Sequence, residues 1–316
     1  MNALALALSL ALSAYAQPPA PKVINMGPQF REFWNAAQAR SFDEQLKLWD
    51  DLVEGPHQKY FDHAVWRKHK NADWRERKRR LLQSAFRRYP ELAPKIDLAF
   101  RQFEHVLGLQ VDRFRQIFPD ARFDLDIYAG LSPTFLGMVT SLEPGGGSPV
   151  LVFAIDSIAA DAERSPALLY AHELFHVYHH TVMGPSPSAA AMSLMLWHEG
   201  MAHLVAALVN PGSSDLELLG EPRLADMASK DLAWLAREFA PVAGQKVAQN
   251  HSLYQSWFDP WAPRLRPDLP ALCGYKLGLE IARRAKQYYR LDEMSRWTPE
   301  RAHEEVMQSL KVFAGG

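Results

Sequence analysis

The stretch Tyr170–His203 opens with YAHELFHVYHH (residues 170–180) and closes with WHEGMAH (residues 197–203). It holds six of the chain's 12 histidines: His172, His176, His179, His180, His198 and His203. His172-Glu173-x-x-His176 places two imidazoles four residues apart, on one face of a helix and about 6 Å apart along its axis. Both rings can therefore address a single ion. Glu173 is turned by about 100° from His172, so it can approach an open coordination position without occupying a ligand place, as a general base must.

A catalytic zinc takes three protein ligands and leaves its fourth position open, so a third ligand is required. The apolar segment MSLMLWHEGMAHLVAALV (residues 192–209) is expected to form a second helix beside the first, and it carries Glu199 with the small Gly200 and Ala202 close by. Glu199 is preferred as the third ligand, because two histidines and one glutamate form an established catalytic set. His203, four residues on and on the same face, is the competitor. His198 is turned about 100° away from Glu199. His180 lies about 12 Å along the axis from His172, too far to share one ion with it.

HELFH followed by EGMA resembles the gluzincin group of zinc metallopeptidases, which carry HExxH on one helix and a glutamate ligand, often within Glu-Gly-x-Ala, on the next. The resemblance implies one Zn2+ per chain, with His172, His176 and Glu199 as ligands and Glu173 as base. It covers about 35 residues. The metzincin pattern is excluded, since it wants Gly at 179 and His at 182, where this chain has His179 and Val182. A looser resemblance to small predicted zinc-dependent proteases with a Tyr-x-x-Gly segment draws in Tyr275-Lys276-Leu277-Gly278. Some gluzincins place an acidic residue four positions after the ligand glutamate, and here that position is His203.

Around this centre the patterns are mainly helical. Ser165 and Pro166 are suited to open the HExxH helix and Gly184-Pro185 to end it, giving residues 166–182. Residues 29–118 show helical apolar spacing. Strand signals are confined to about 121–156: ARFDLDIYAG alternates, and FLGMVTSLE and SPVLVFAID flank the turn Glu143-Pro144-Gly145-Gly146-Gly147-Ser148. The expected fold is α+β, mainly α-helical, a zincin-like core with a small sheet packed on the HExxH helix. In the resembled peptidases a sheet edge beside the metal receives an extended substrate, and Val152, Phe153 and Ala154 are the candidates for that edge. Residues 213–316 read as further helices, one of them carrying Tyr275. Tyr275, Tyr254 and His251 are candidate donors to a reaction oxyanion, with Tyr275 foremost.

The expected organisation is a signal peptide over residues 1–16, a helical region over 17–120 and a zincin-like region over 121–316, the last two either separate or joined in one compact unit. MNALALALSLALSAYA ends in the small-x-small pattern of a cleavage site, which predicts export to the periplasm or the outside of the cell. No later segment reads as a membrane span. Ten Lys or Arg fall between Arg67 and Arg88, but the net charge of −1 favours a solvated, acid-paired helix face over a nucleic-acid surface. The single cysteine, Cys273, excludes an intramolecular disulfide and a cysteine-rich metal site.

The expected activity is hydrolysis of a peptide or protein substrate by metal-activated water. The alternatives are a zinc amidohydrolase acting on a non-peptide amide, and an inactive zinc-binding interaction protein. The presence of Glu173 weighs against the last, because a structural zinc has no use for a base and normally has four protein ligands.

Overall fold

A computed structural model describes residues 21–68, 72–184 and 190–315; the predicted signal peptide lies outside them. The chain is α+β and mainly helical. Its sheet has four strands, β1 (Lys22–Asn25), β2 (Asp126–Gly130), β3 (Gly137–Ser141) and β4 (Pro149–Ala154), in the order β1-β2-β4-β3. β1 and β4 flank β2 in parallel, and β3 runs antiparallel to β4. The expected hairpin across the glycine-rich turn is thus present.

Two expectations are corrected. Strands are not confined to about 121–156: β1 lies at Lys22–Asn25, with its Ile24 opposite Tyr128. Val152, Phe153 and Ala154 do not form the open edge: β4 is an inner strand, and all three are fully buried. The reason lies in PVLVFA itself. An uninterrupted apolar run is covered on both faces, whereas the mixed GMVTS of β3 is half-exposed throughout and takes the edge.

Helices α1 (Gly27–Ala37) and α2 (Phe42–Trp49) precede the 44-residue α3 (Trp74–Ile117). Ser41 and Glu44 form a capping box at the start of α2, satisfying two otherwise orphaned backbone donors. α3 continues through Pro90 and Pro94, although an interior proline costs about 3 kcal/mol. What offsets this is a stripe at helical spacing, Phe86, Tyr89, Ala93, Ile96, Phe100, Phe103 and Leu107, all buried. Phe33, Trp49 and Phe86 pack with ring centroids 5.3–5.6 Å apart. Part of the basic segment at the start of α3 is paired with acids: Lys78 with Asp50 at 2.6 Å and Glu54 at 2.5 Å, Arg79 with Asp43 at 2.6 Å.

The short α4 (Ile155–Ala160) leads from β4 to α5 (Pro166–Met183), and α6 (Met192–Val209) lies beside α5. By length and composition α6 could cross a membrane, yet 78% of it is buried inside the fold, as suits a core helix. α7 (Ser229–Phe239), α8 (His251–Phe258), α9 (Cys273–Lys286) and α10 (Pro299–Gly315) follow, with shorter helical segments such as Asp215–Leu219 between the longer ones. α6 is sandwiched between α5 and α9. The N-terminal helices and the later elements share the sheet, through β1 and β2, and one continuous apolar core.

Candidate metal centre

α5 begins at Pro166, whose missing N–H costs nothing in a first turn, and ends at Gly184 with φ of 79°. Its burial on nearly all sides, from Leu168 to His179, fixes the rotation of the helix and so the direction of its histidines. His172 Nε2 and His176 Nε2 lie 3.0 Å apart. Glu199 Oε2, from α6, is 3.3 Å from the first and 3.5 Å from the second. Tetrahedral bonds of about 2.0–2.1 Å separate neighbouring ligand atoms by about 3.3 Å, so these three atoms are spaced to share one ion. Among the described residues they are the one His/Cys/Asp/Glu group arranged to hold a metal.

The electrostatics agree with a cation-seeking cluster. Burial would raise the Glu199 pKa, but His176 and His172 reverse the effect and hold its carboxyl well below the usual range. Burial likewise opposes a charged His176, and Glu199 overcomes it, raising the imidazole to about 9. His172 is pushed down to about 4, chiefly by burial.

Glu173 is 5% exposed, and burial raises its carboxyl to about 7, within the range a general base uses. It meets the sheet at Gly137. A Cβ built on that residue would stand 2.8 Å from Glu173 Cγ, so only glycine allows the edge strand so close to the carboxylate.

His203 is not part of the cluster. Its Nδ1 lies 2.8 Å from the Glu199 carbonyl oxygen, and its ring packs between His172 and Tyr275, at 4.4 and 5.2 Å between centroids. It packs against His172 from outside the cluster. Tyr275 and Tyr254 both line the cleft over the cluster, whereas the exposed His251 does not. The Tyr275 hydroxyl donates to the Phe258 carbonyl at 3.5 Å.

The cleft has a volume of about 560 Å³ and is walled on one side by the whole of β3. His179, His180 and His198 also line it. His179 and His198 pack ring to ring at 4.5 Å, with both nitrogens of His179 and Nε2 of His198 buried without a hydrogen-bond partner. Sequence reasoning assigned no role to β3 as a cleft wall; the signal for it is Gly137, a small residue at the head of a β-rich segment.

No protein-family model, curated protein or solved structure matches this chain.

Proposed function

We propose that the protein is a zinc-dependent peptidase of gluzincin type. The observation that carries this reading is the convergence of His172 Nε2, His176 Nε2 and Glu199 Oε2 within 3.0–3.5 Å of one another, with the buried Glu173 beside them and an open strand edge alongside. His203 stands outside the cluster, and a set of three protein ligands would suit a catalytic zinc better than a structural one.

A bound zinc ion would supply Lewis acidity to the scissile carbonyl and the attacking water. Glu173 takes the proton of that water and returns it to the leaving amine. Tyr254, or Tyr275 once its hydroxyl leaves the Phe258 carbonyl, donates a hydrogen bond to the developing oxyanion, a contact whose loss typically costs about 10²–10³ in rate. β3 is the strand along which the substrate lies, offering main-chain hydrogen bonds from its unpaired side. This assigns to Gly137–Ser141 the role the sequence suggested for Val152–Ala154.

Metal content of the purified protein together with turnover of a broad peptide library tests the reading. One zinc per chain and cleavage are expected. Stoichiometric zinc with every peptide left intact would move the assignment to a non-peptide amidohydrolase or an interaction protein.

A further inference from the structure

One buried pair of imidazoles in the cleft takes no part in the proposed catalysis. His179 follows His176 by about one turn of α5, and His198 precedes Glu199 on α6. Their rings meet with centroids 4.5 Å apart and continue a stack that begins at Phe175. Both residues line the cleft, although they are only 2% and 8% exposed. Both nitrogens of His179 and Nε2 of His198 are buried without a hydrogen-bond partner. Unpaired polar atoms of this kind are rare inside native proteins and call for a partner that arrives from outside.

The pair lies along the path of a peptide on β3. Leu136 lines a small void with Pro166 and Leu169, Gly137 meets Glu173, and Met138 to Ser141 line the cleft together with His176, His179 and His180. β3 and α5 therefore advance in the same direction. From Glu173 to His179 is about 9 Å along the helix axis, which an extended chain covers in about two to three residues at about 3.4 Å each. A substrate side chain at that remove from the bond beside Glu173 passes over the two rings.

Two imidazoles buried ring against ring stay neutral, since a charge on either is opposed by burial and by the other. A neutral imidazole carries one N–H donor and one acceptor nitrogen. An ammonium group would leave the donors unmet, and a carboxylate would lie beside the carboxylate of Glu199. A carboxamide uses both, its oxygen accepting from one ring and its NH2 donating to the other. No hydrogen bond holds His179 in one setting, and a half-turn of its ring about Cβ–Cγ exchanges each nitrogen with a carbon. That is the motion the contact requires.

We propose that His179 and His198 form a subsite for a carboxamide side chain, so that the protein prefers peptides with Gln or Asn about two or three residues from the scissile bond, on the side toward Ser141. The proposal rests on the peptidase reading.

Peptides of one sequence test it, with Gln, Glu, Lys or Met placed in turn at each position around the cleaved bond. Cleavage and zinc content are measured for the wild type, for His179→Phe and His198→Phe, which keep the stack without the nitrogens, and for His179→Gln, which restores a donor and an acceptor. Binding is measured calorimetrically with zinc-loaded Glu173→Gln. We expect Gln to be preferred to Met about tenfold at one position, the effect of a buried hydrogen bond made or left unmade, and to find it in KM and not kcat. The ratio should fall close to one in the two Phe variants and return in part in His179→Gln. Should His198→Phe lose zinc, being next to a ligand, the two His179 variants decide. A preference for Glu or Lys over Gln, no preference at all in the wild type, or one that survives His179→Phe overturns the subsite and leaves the peptidase reading standing. Neither binding nor cleavage of any peptide overturns both.

Discussion

Gly200 on α6 and Gly278 on α9 touch backbone to backbone: a Cβ added to Gly200 would overlap the Gly278 carbonyl oxygen, and one added to Gly278 would stand 2.5 Å from the carbonyl oxygen of Leu196. Each glycine neighbours a site residue in sequence, Glu199 in one case and the Tyr275 segment in the other. Their contact brings Glu199 and Tyr275, the candidate third ligand and the candidate oxyanion donor, onto the same cleft. Since the clash is with main chain, no side-chain rotation relieves it. Gly200→Ala and Gly278→Ala should each destabilise the fold by about 1–3 kcal/mol, the range for overpacking a tight core, as read in urea unfolding. Zinc affinity should fall more in Gly200→Ala. Unchanged stability in both would mean that the two helices do not meet at these glycines.

Replacing Glu199 by Ala should remove most of the zinc from the purified protein, because two histidines alone leave the site without its anionic ligand. His203→Ala should keep zinc stoichiometric while weakening affinity about 10–100-fold, as expected for a group that supports a ligand. Competition with a chromophoric chelator distinguishes the two. Full affinity in Glu199→Ala with loss in His203→Ala would exchange their roles.

Glu173→Gln should bind zinc normally and lower kcat by about 10²–10⁴, the usual contribution of a positioned acid–base group. Gly137→Val should lower kcat too while leaving zinc content intact, since its side chain would enter the space of the Glu173 carboxylate. Single-turnover cleavage measures both. A Glu173→Gln protein as fast as wild type would end the proposed mechanism.

Removing the metal should abolish turnover and lower Tm, and added zinc should restore both. At a free zinc concentration one hundred times its Kd the expected stabilisation is about 2.7 kcal/mol. Differential scanning calorimetry across a zinc titration checks this, and a Tm independent of zinc would exclude a site formed only in the folded chain.

The Asp215 carboxyl is held at about 2, first by the hydrogen bond from Arg283 and then by that from Lys276, against opposing burial. A carboxyl whose folded pKa is depressed stabilises the fold above its unfolded value of about 3.9. That contribution is lost as pH falls from there through about 2. Asp215→Asn should therefore cost about 1 kcal/mol at pH 7, discounted for a partly exposed network. The difference from wild type should vanish near pH 2, as followed by unfolding at several pH values.

Much of the centre is legible in the amino-acid sequence because it is local. HExxH places its three residues by helical geometry alone, and α5 and α6 begin and end within a few residues of their sequence signals. The small residue after Glu199 is visible there, but not its purpose, because Gly278 lies 78 positions away. β1 escapes the sequence for a related reason: four residues beside a proline-rich segment become a strand only by pairing with β2, about 100 residues on. The open edge belongs to β3 and not β4, and a strand's own pattern does not name its neighbours, although the unbroken apolar run of β4 already points to an inner position.

The sequence by itself determined that His172, Glu173 and His176 stand together on one helix, since residue type and spacing are covalent facts made geometric by a fixed rise and turn. Only the tertiary structure decided that Glu199 and not His203 completes the cluster, and that β3 borders the cleft. Each of these depends on how separate elements pack, and helix packing is set by contacts such as Gly200 against Gly278, which join residues far apart in the chain.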